Sequence, residues 1–319
     1  MSIVFNKSKE ISLDDETLRS DLLKIASGMD NVIALGRGDP DFHTPRHIVE
    51  AAKKALDENK HHYTPPTGLP ELRKSISKNF EQKYNLDYSE DEIIITAGVQ
   101  ESIALAMISL LKADDEVLIT SPRFTTYDLT VRMCNAKPVP VHTYEKDNFA
   151  LMPELIEQKI TKKTKLLVLV SPNNPTGAVT PPSNIKKIAQ IAIDNNLIVI
   201  SDEIYADLIY DSHEHLSIGS LEKMKERTLT LNGFSKTYAM TGWRVGYIAG
   251  PKDIINKMTE IRHALSINSC TFSQYGALAA LDGPQEEINK MKNEYNERRK
   301  FSMKALSDIG FTYGDPGGA

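Results

Sequence analysis

The stretch LLVLVSPNNPTGAVTPPSNIKKIAQIAIDNNLIVISDEIY, residues 166–205, holds two short apolar runs on either side of an amphipathic segment. The runs 166–170 and 197–200 are continuously apolar, which is typical of strands that are buried on both faces. Between them, residues 185–195 repeat Ile188, Ile191 and Ala192 at helical spacing. This order of strand, helix and strand predicts a parallel, helix-covered sheet.

Similar apolar runs recur on both sides of this unit. Seven segments have the composition of strands: 93–96, 117–119, 138–141, 166–170, 197–200, 228–231 and 245–249. A second helical pattern, 99–111, follows the first of them. We therefore predict an α/β fold with a large domain built on a seven-stranded, mostly parallel sheet covered by helices.

The connection between the last two strands is short. Only about a dozen residues, 232–244, separate them, too few for the helical crossover that a parallel pair needs. The last strand is therefore predicted to run antiparallel. Arg244, at its start, would then lie at the edge formed by the carboxyl ends of the parallel strands.

The segments outside this sheet are helical or irregular. We expect a large domain at 46–284 and an incomplete, smaller α+β domain made of 1–45 and 285–319. A charged helix is predicted from about residue 285. The final GDPGGA marks a turn after which a further strand is expected, so we expect the chain to be truncated at its C-terminus.

Composition excludes several classes of protein. The formal net charge of -5 comes without a basic block, which argues against a nucleic-acid partner. Cys134 and Cys270 cannot build a disulfide framework, and no apolar run is long enough to span a bilayer. We expect a cytoplasmic protein without a membrane partner. Three histidine patterns lack metal-ligand spacing and are assigned to surface or packing roles, with no metal expected: His61-His62, His213-Glu214-His215, and His43 with His47.

Ligands of open α/β sheets bind beyond the carboxyl ends of the strands, so the residues that follow each apolar run are the candidates for chemistry. Gly98 ends one strand and opens a helix, whose free N–H groups suit a phosphate. For this glycine alone, a plain strand-to-helix turn is the favoured interpretation. Arg244 is the cation predicted at the same edge.

Two further side chains suggest a site at this edge. Lys236 lies among Phe234, Tyr238 and Met240, a setting that would lower the pKa of its ammonium group, although most lysines are surface residues. Asp202 follows an apolar strand, where an ionised carboxylate needs a positive partner unless it caps a helix.

The motifs SPNNPTG at 171–177, DEIY at 202–205 and SKTYAMTGWR at 235–244 together resemble those of the class I and II aminotransferases. The resemblance extends from GRGDPDF at 36–42 almost to the end of the chain. It implies a pyridoxal 5'-phosphate (PLP) enzyme of fold type I that exchanges amino groups between an L-amino acid and a 2-oxo acid by a ping-pong mechanism.

The resemblance also implies a role for each matching residue. Lys236 would be the Schiff-base lysine, Asp202 the partner of the pyridine nitrogen, and Asn174 and Tyr205 the donors to the ring phenolate oxygen. Phe124 would stack on the ring, and Gly38 would lie near the substrate carboxylate together with Asn174. The phosphate would be bound by Gly98, Val99, Gln100, Arg244 and, from the second subunit of a homodimer, Tyr63.

The sequence departs from the family pattern at two places. Gly233 stands where many relatives have Ser or Thr, so a hydroxyl contact to phosphate is expected to be absent. The arginine that binds the substrate carboxylate in the family has no counterpart within this chain. We therefore expect the 319-residue chain to bind PLP weakly or to turn over poorly, and a longer parent to be active.

Substrate and reaction outcome stay partly open. Relatives specific for aspartate often have lysine at the position of Gln100, which favours aromatic or broad neutral substrates here. Arg123 could receive an acidic side chain, but a solvated surface arginine is the favoured interpretation. A PLP-dependent lyase on the same fold and a non-catalytic PLP-binding fragment remain alternatives to the aminotransferase.

Overall fold

The computed structural model describes residues 25, 28, 29 and 38–319, and the chain divides into two compact units, 1–39 and 40–319. The second unit contains one seven-stranded sheet. Its strands are β1 (Ile93–Thr96), β2 (Glu116–Ser121), β3 (Lys137–His142), β4 (Thr164–Val170), β5 (Ile198–Asp202), β6 (Thr228–Gly233) and β7 (Gly246–Ala249). All seven predicted strands are confirmed, with ends that differ by at most two residues.

The helices of this unit lie between and after the strands. They are α1 (Arg46–Asp57), α2 (Pro70–Tyr84), α3 (Val99–Leu110), α4 (Thr126–Met133), α5 (Pro153–Glu157), α6 (Pro182–Asp194), α7 (Lys252–Leu265), α8 (Thr271–Asp282) and α9 (Glu286–Asp308). The three helices predicted from the sequence correspond to α3, α6 and α9. None of the helices in the described part of the chain has the length and hydropathy of a bilayer-spanning segment.

The sheet is parallel except for β7. The strand order is β1-β7-β6-β5-β4-β2-β3, and β7 is antiparallel to both of its neighbours. Gly233 at the end of β6 pairs with Gly246 at the start of β7, and Thr96 at the end of β1 pairs with the same glycine. This register confirms the predicted direction of the last strand and brings Arg244 to the carboxyl edge of the parallel strands.

The core lies on both faces of the sheet. Alternate residues of one strand face opposite sides, so Ile95 packs with Phe80 on one face while Ile94 packs with Ile103 on the other. On the β4–β5 side, Leu167 and Val199 pack against the apolar face of α6. Burial on both faces explains why these strands are continuously apolar and fixes the edge at which their polar ends meet.

The division into a large and a small domain remains a prediction. Most of the predicted N-terminal segment, residues 1–24, 26, 27 and 30–37, lies outside the described residues. In α9, only Ile288 and Met291 are buried, whereas Phe301 is largely exposed.

Candidate active site

Polar side chains from five connections meet at the carboxyl edge of the sheet. They follow β1, β2, β4, β5 and β6, and the start of β7 returns to the same edge. Because the strands are parallel and adjacent, residues far apart in sequence become neighbours here.

Lys236 lies in the turn that follows β6. Its neighbours Phe234, Tyr238 and Met240 are buried in the core, while Lys236 itself is half-buried. The Lys236 Nζ atom lies 5.8 Å from the centroid of the Tyr205 ring. The aromatic, partly dehydrated setting expected from the sequence is therefore present around this amine.

Asn174 and Tyr205 form the next part of the site. The Asn174 Nδ2 group donates a hydrogen bond to the Tyr205 hydroxyl at 3.4 Å, which links the loop after β4 to the turn after β5. Burial raises the pKa of the Tyr205 phenol to about 12, so it stays protonated and can donate. Two hydrogen-bond donors thus lie side by side next to Lys236.

Asp202 is the buried acid of the site. Its side chain accepts a hydrogen bond from the Tyr127 hydroxyl at 2.5 Å and another from the Ile204 N–H at 3.2 Å. Burial raises the pKa of Asp202 to about 6, and within the described residues no cation is among the groups that shift this pKa. The segment after Asp202 is a turn, so Asp202 does not cap a helix.

Gly98 and Arg244 form a cradle at the start of α3. Gly98 has a φ of 83°, which favours glycine, and a Cβ atom there would lie 2.6 Å from Nη2 of Arg244. The guanidinium is held by the carbonyl oxygens of Thr241 and Ala97 at 2.9 and 3.1 Å. The first N–H groups of α3, from Val99 onward, and an exposed guanidinium therefore share one open space.

Gly233 is explained by the approach of two strands. A Cβ atom at this position would lie 3.0 Å from the Cα of Gly246 in β7. The backbone of the neighbouring strand thus occupies the space that a serine or threonine side chain would need.

The segment around α4 closes the site from the side of β2. Phe124 is half-buried against the core, and the side chain of Gln100 donates to the Thr126 hydroxyl at 2.9 Å. Arg123 makes two hydrogen bonds to the Asp128 carboxylate, at 2.6 and 2.5 Å. Arg123 is therefore a paired residue, neither solvated nor available to an acidic ligand without loss of this pair.

Tyr63 and Gly38 have predicted roles that the described contacts do not test. Among the described hydrogen bonds and ring contacts, none links Tyr63 to the other site residues, and the Tyr63 side chain is 79% exposed beside an open cavity of about 490 Å³. Gly38 belongs to the first compact unit, so its role stays a prediction.

Two histidines of the predicted patterns form polar contacts, and no cluster of metal-ligand type is found within the described residues. His213 contacts Asp315 at 2.8 Å, and the buried His215 contacts Glu203 at 3.0 Å. The contact between Tyr127 and Asp202 was not predicted from the sequence. This hydrogen bond depends on the tertiary fold.

The comparison with known proteins agrees with this geometry. The family described as aminotransferase class I and II matches residues 30–319. The chain belongs to the aminotransferase class I and II family. The predicted enzyme class is thereby confirmed, and members of this family use pyridoxal phosphate.

Several known aminotransferases and solved structures are similar to this chain over most of its length. Aspartate aminotransferase of Pyrococcus abyssi is 43% identical over 301 residues, 93% of this chain and 77% of that protein. Aromatic-amino-acid aminotransferase 2 of Thermococcus litoralis is 40% identical over 301 residues, which again make up 93% of this chain and 77% of that protein. The structure of the aromatic aminotransferase of Pyrococcus horikoshii OT3 superposes with a TM-score of 0.89 at 41% identity, covering 94% of this chain and 80% of that chain.

Proposed function

We propose that this aminotransferase binds PLP through Lys236 and exchanges amino groups between an L-amino acid and a 2-oxo acid in two half-reactions. The observation that supports this most strongly is the buried Asp202 carboxyl group, which has no cation among the described groups that act on it. A protonated pyridine nitrogen would supply the missing positive charge.

The residues at the sheet edge fit the remaining parts of the cofactor. Gly98, Val99, Gln100 and Arg244 would hold the phosphate, since an exposed guanidinium and helix N–H groups bind anions. Asn174 and Tyr205 would donate hydrogen bonds to the phenolate oxygen. Phe124 would cover one face of the ring.

When bound, PLP supplies a ring that accepts electrons released at the substrate Cα. Asp202 would keep a proton on the ring nitrogen. The Lys236 amine would take the proton from the substrate Cα and later return it, acting first as general base and then as general acid. The half-buried position of Lys236 beside Tyr205 supports this role, because it places the amine next to the proposed ring-binding residues.

The substrate is proposed to be an aromatic or broadly neutral amino acid. Gln100 stands at the position where relatives specific for aspartate often have lysine, and its side-chain amide donates a hydrogen bond to the Thr126 hydroxyl. The guanidinium of Arg123 already donates two hydrogen bonds to the Asp128 carboxylate. Curated relatives include enzymes named for aspartate and for aromatic amino acids, so a side-by-side rate comparison of phenylalanine and aspartate tests this choice.

The active unit is proposed to be a homodimer to which Tyr63 of one copy contributes at the site of the other. The exposed Tyr63 side chain and the cavity next to it, lined by Asn268 and Phe272, support this arrangement. Mixing Tyr63→Ala and Lys236→Ala variants tests it, because a hybrid dimer would contain one intact site. Recovery of activity on mixing supports the proposal, and no recovery contradicts it.

The cofactor proposal is tested by absorption spectra with saturating PLP. The wild-type protein should shift the PLP absorption away from that of the free aldehyde, and Lys236→Ala should abolish the shift. Lys252→Ala is the matched control, since Lys252 is an exposed lysine paired with Asp91. Equal spectra for the wild type and Lys236→Ala would overturn the proposal.

A single-turnover assay separates the aminotransferase from a lyase. With an amino acid as the only substrate, an aminotransferase forms up to one equivalent of 2-oxo acid and releases no ammonia. A lyase releases ammonia and continues past one equivalent. Ammonia release would therefore contradict the proposed reaction.

A further inference from the structure

Tyr127 is a buried phenol that the proposed reaction does not use. It lies in the first turn of α4, its side chain is 1% exposed, and its ring packs in the core cluster that includes Ile103 and Val131. Its hydroxyl donates to Asp202 Oδ2 at 2.5 Å. A core phenylalanine would fill this place equally well, so the hydroxyl requires its own explanation.

A hydrogen bond donated by this hydroxyl favours the ionised form of its acceptor. Bonds from a hydroxyl to an ionised oxygen are about 2.5 to 2.7 Å long and roughly twice as strong as neutral ones. Burial works in the opposite direction, because a carboxylate far from water favours its protonated form. The Tyr127 hydroxyl is therefore the main side-chain group that counteracts the cost of burying Asp202 as an anion.

The surrounding segment holds the phenol in position. Arg123 and Asp128 clamp the start of α4 through two hydrogen bonds, and Thr126 accepts a hydrogen bond from Gln100. Tyr127 thus projects from a turn that is fixed at both sides. The two oxygens of Asp202 are also distinguished, since Oδ2 accepts the bond from Tyr127 and Oδ1 accepts the longer bond from the Ile204 N–H.

We infer that Tyr127 is a positioning residue that orients the Asp202 carboxylate and keeps it ionised for the cationic ring nitrogen. This inference rests on the proposed function of Asp202, but the Tyr127–Asp202 bond joins two side chains of the protein itself and can be tested in the cofactor-free protein.

The other titratable groups near Asp202 include Glu203, Tyr205 and Lys236. Glu203, the next residue, raises the pKa of Asp202 and is itself paired with His215. The Tyr205 hydroxyl accepts a hydrogen bond from Asn174, and the Lys236 Nζ atom lies 5.8 Å from the centroid of the Tyr205 ring. Tyr127 is the ionisable side chain for which a hydrogen bond lowers the pKa of Asp202.

The test is the titration of Asp202 in cofactor-free protein, followed by NMR of ¹³C-labelled aspartate carboxyl groups and assigned with Asp202→Asn. In Tyr127→Phe, the pKa of Asp202 should rise by about one unit, a tenfold gain in proton affinity. Tyr88→Phe is the control: Tyr88 is also 1% exposed, but the described hydrogen bond of its hydroxyl is with the neutral Thr230 hydroxyl at 3.4 Å. An unchanged Asp202 titration in Tyr127→Phe overturns the inference.

A second variant covers the case in which Tyr127→Phe does not fold. Removal of one partner leaves a buried carboxyl group without its donor, whereas removal of both partners is much less costly. The double variant Tyr127→Phe with Asp202→Asn should therefore fold. If the double variant fails to fold while Asp202→Asn alone folds, the Tyr127 hydroxyl is needed for a reason other than Asp202 and the inference is wrong.

The holoenzyme gives an independent reading. With PLP bound, the pH midpoint of the absorption change should move in Tyr127→Phe and stay constant in Tyr88→Phe. If PLP does not bind to the wild type at all, the proposed function fails while the titration in cofactor-free protein still decides the role of Tyr127.

Discussion

Gly98 and Arg244 are in direct contact across the paired strands β1 and β7, so that a methyl group on Gly98 would lie 2.6 Å from the arginine Nη2 atom. This contact joins Gly98, which has a positive φ and lies at the start of a helix, to the guanidinium of Arg244, which precedes the antiparallel strand β7. The position of Arg244 therefore depends on the absence of a side chain at Gly98.

Gly98→Ala should displace the Arg244 guanidinium and strain the backbone, and should weaken PLP binding by at least about tenfold, or 1.4 kcal/mol. Binding of pyridoxal, which lacks the phosphate, should change much less. Equilibrium titrations with both ligands measure the difference.

Gly310→Ala is the matched control for this variant. Gly310 also has a positive φ, of 86°, but a Cβ atom there would meet nothing within 4 Å. A similar loss of PLP affinity in both variants would mean that backbone strain, rather than the contact with Arg244, causes the effect.

Asp202→Asn should change how the stability of the cofactor-free protein depends on pH. The folded-state pKa of Asp202 is raised to about 6 by burial, above its unfolded value of 3.8. The folded protein therefore binds the proton more tightly, and the stability that this contributes is present below the unfolded pKa and lost as pH rises through the folded one. Between about pH 4.5 and 7.5, the wild type should lose about 2 kcal/mol relative to Asp202→Asn.

Urea denaturation of both proteins at the two pH values measures this difference. A stability difference that does not change with pH would show that Asp202 has an ordinary pKa in the folded protein. It would also remove the main argument that the site needs a cation.

Much of the fold could be predicted because the strands are buried on both faces and their apolar runs are unbroken. The direction of β7 followed from the short connection 232–244, and that direction brought Arg244 to the site. The contacts of Tyr127 and Arg123 could not be predicted. Tyr127 meets Asp202 across 75 positions of sequence, and Arg123 pairs with Asp128 at a separation of five, outside the usual helical spacing.

Arg123→Gln should lower the free energy of unfolding but leave the preference between amino acid substrates unchanged. Because Arg123 is held by Asp128 in a partly buried pair, its loss leaves the Asp128 carboxylate without its partner. The ratio of kcat/KM for phenylalanine to that for aspartate should stay within about threefold, well under 1 kcal/mol.

Asp128→Asn provides the comparison, since it removes the other half of the same pair. A large and selective loss of activity toward aspartate in Arg123→Gln, absent from Asp128→Asn, would instead identify Arg123 as the residue that binds acidic side chains.

The most direct test of the account is to locate the covalent attachment of PLP. Borohydride treatment of the PLP-loaded protein reduces the carbon–nitrogen double bond to a stable linkage, and tryptic digestion followed by mass spectrometry locates it. The label should appear on Lys236 within the peptide 228–244, which stays uncut at the modified lysine. A label on other lysines, or no label at saturating PLP, would contradict the assignment of this sheet edge as the cofactor site.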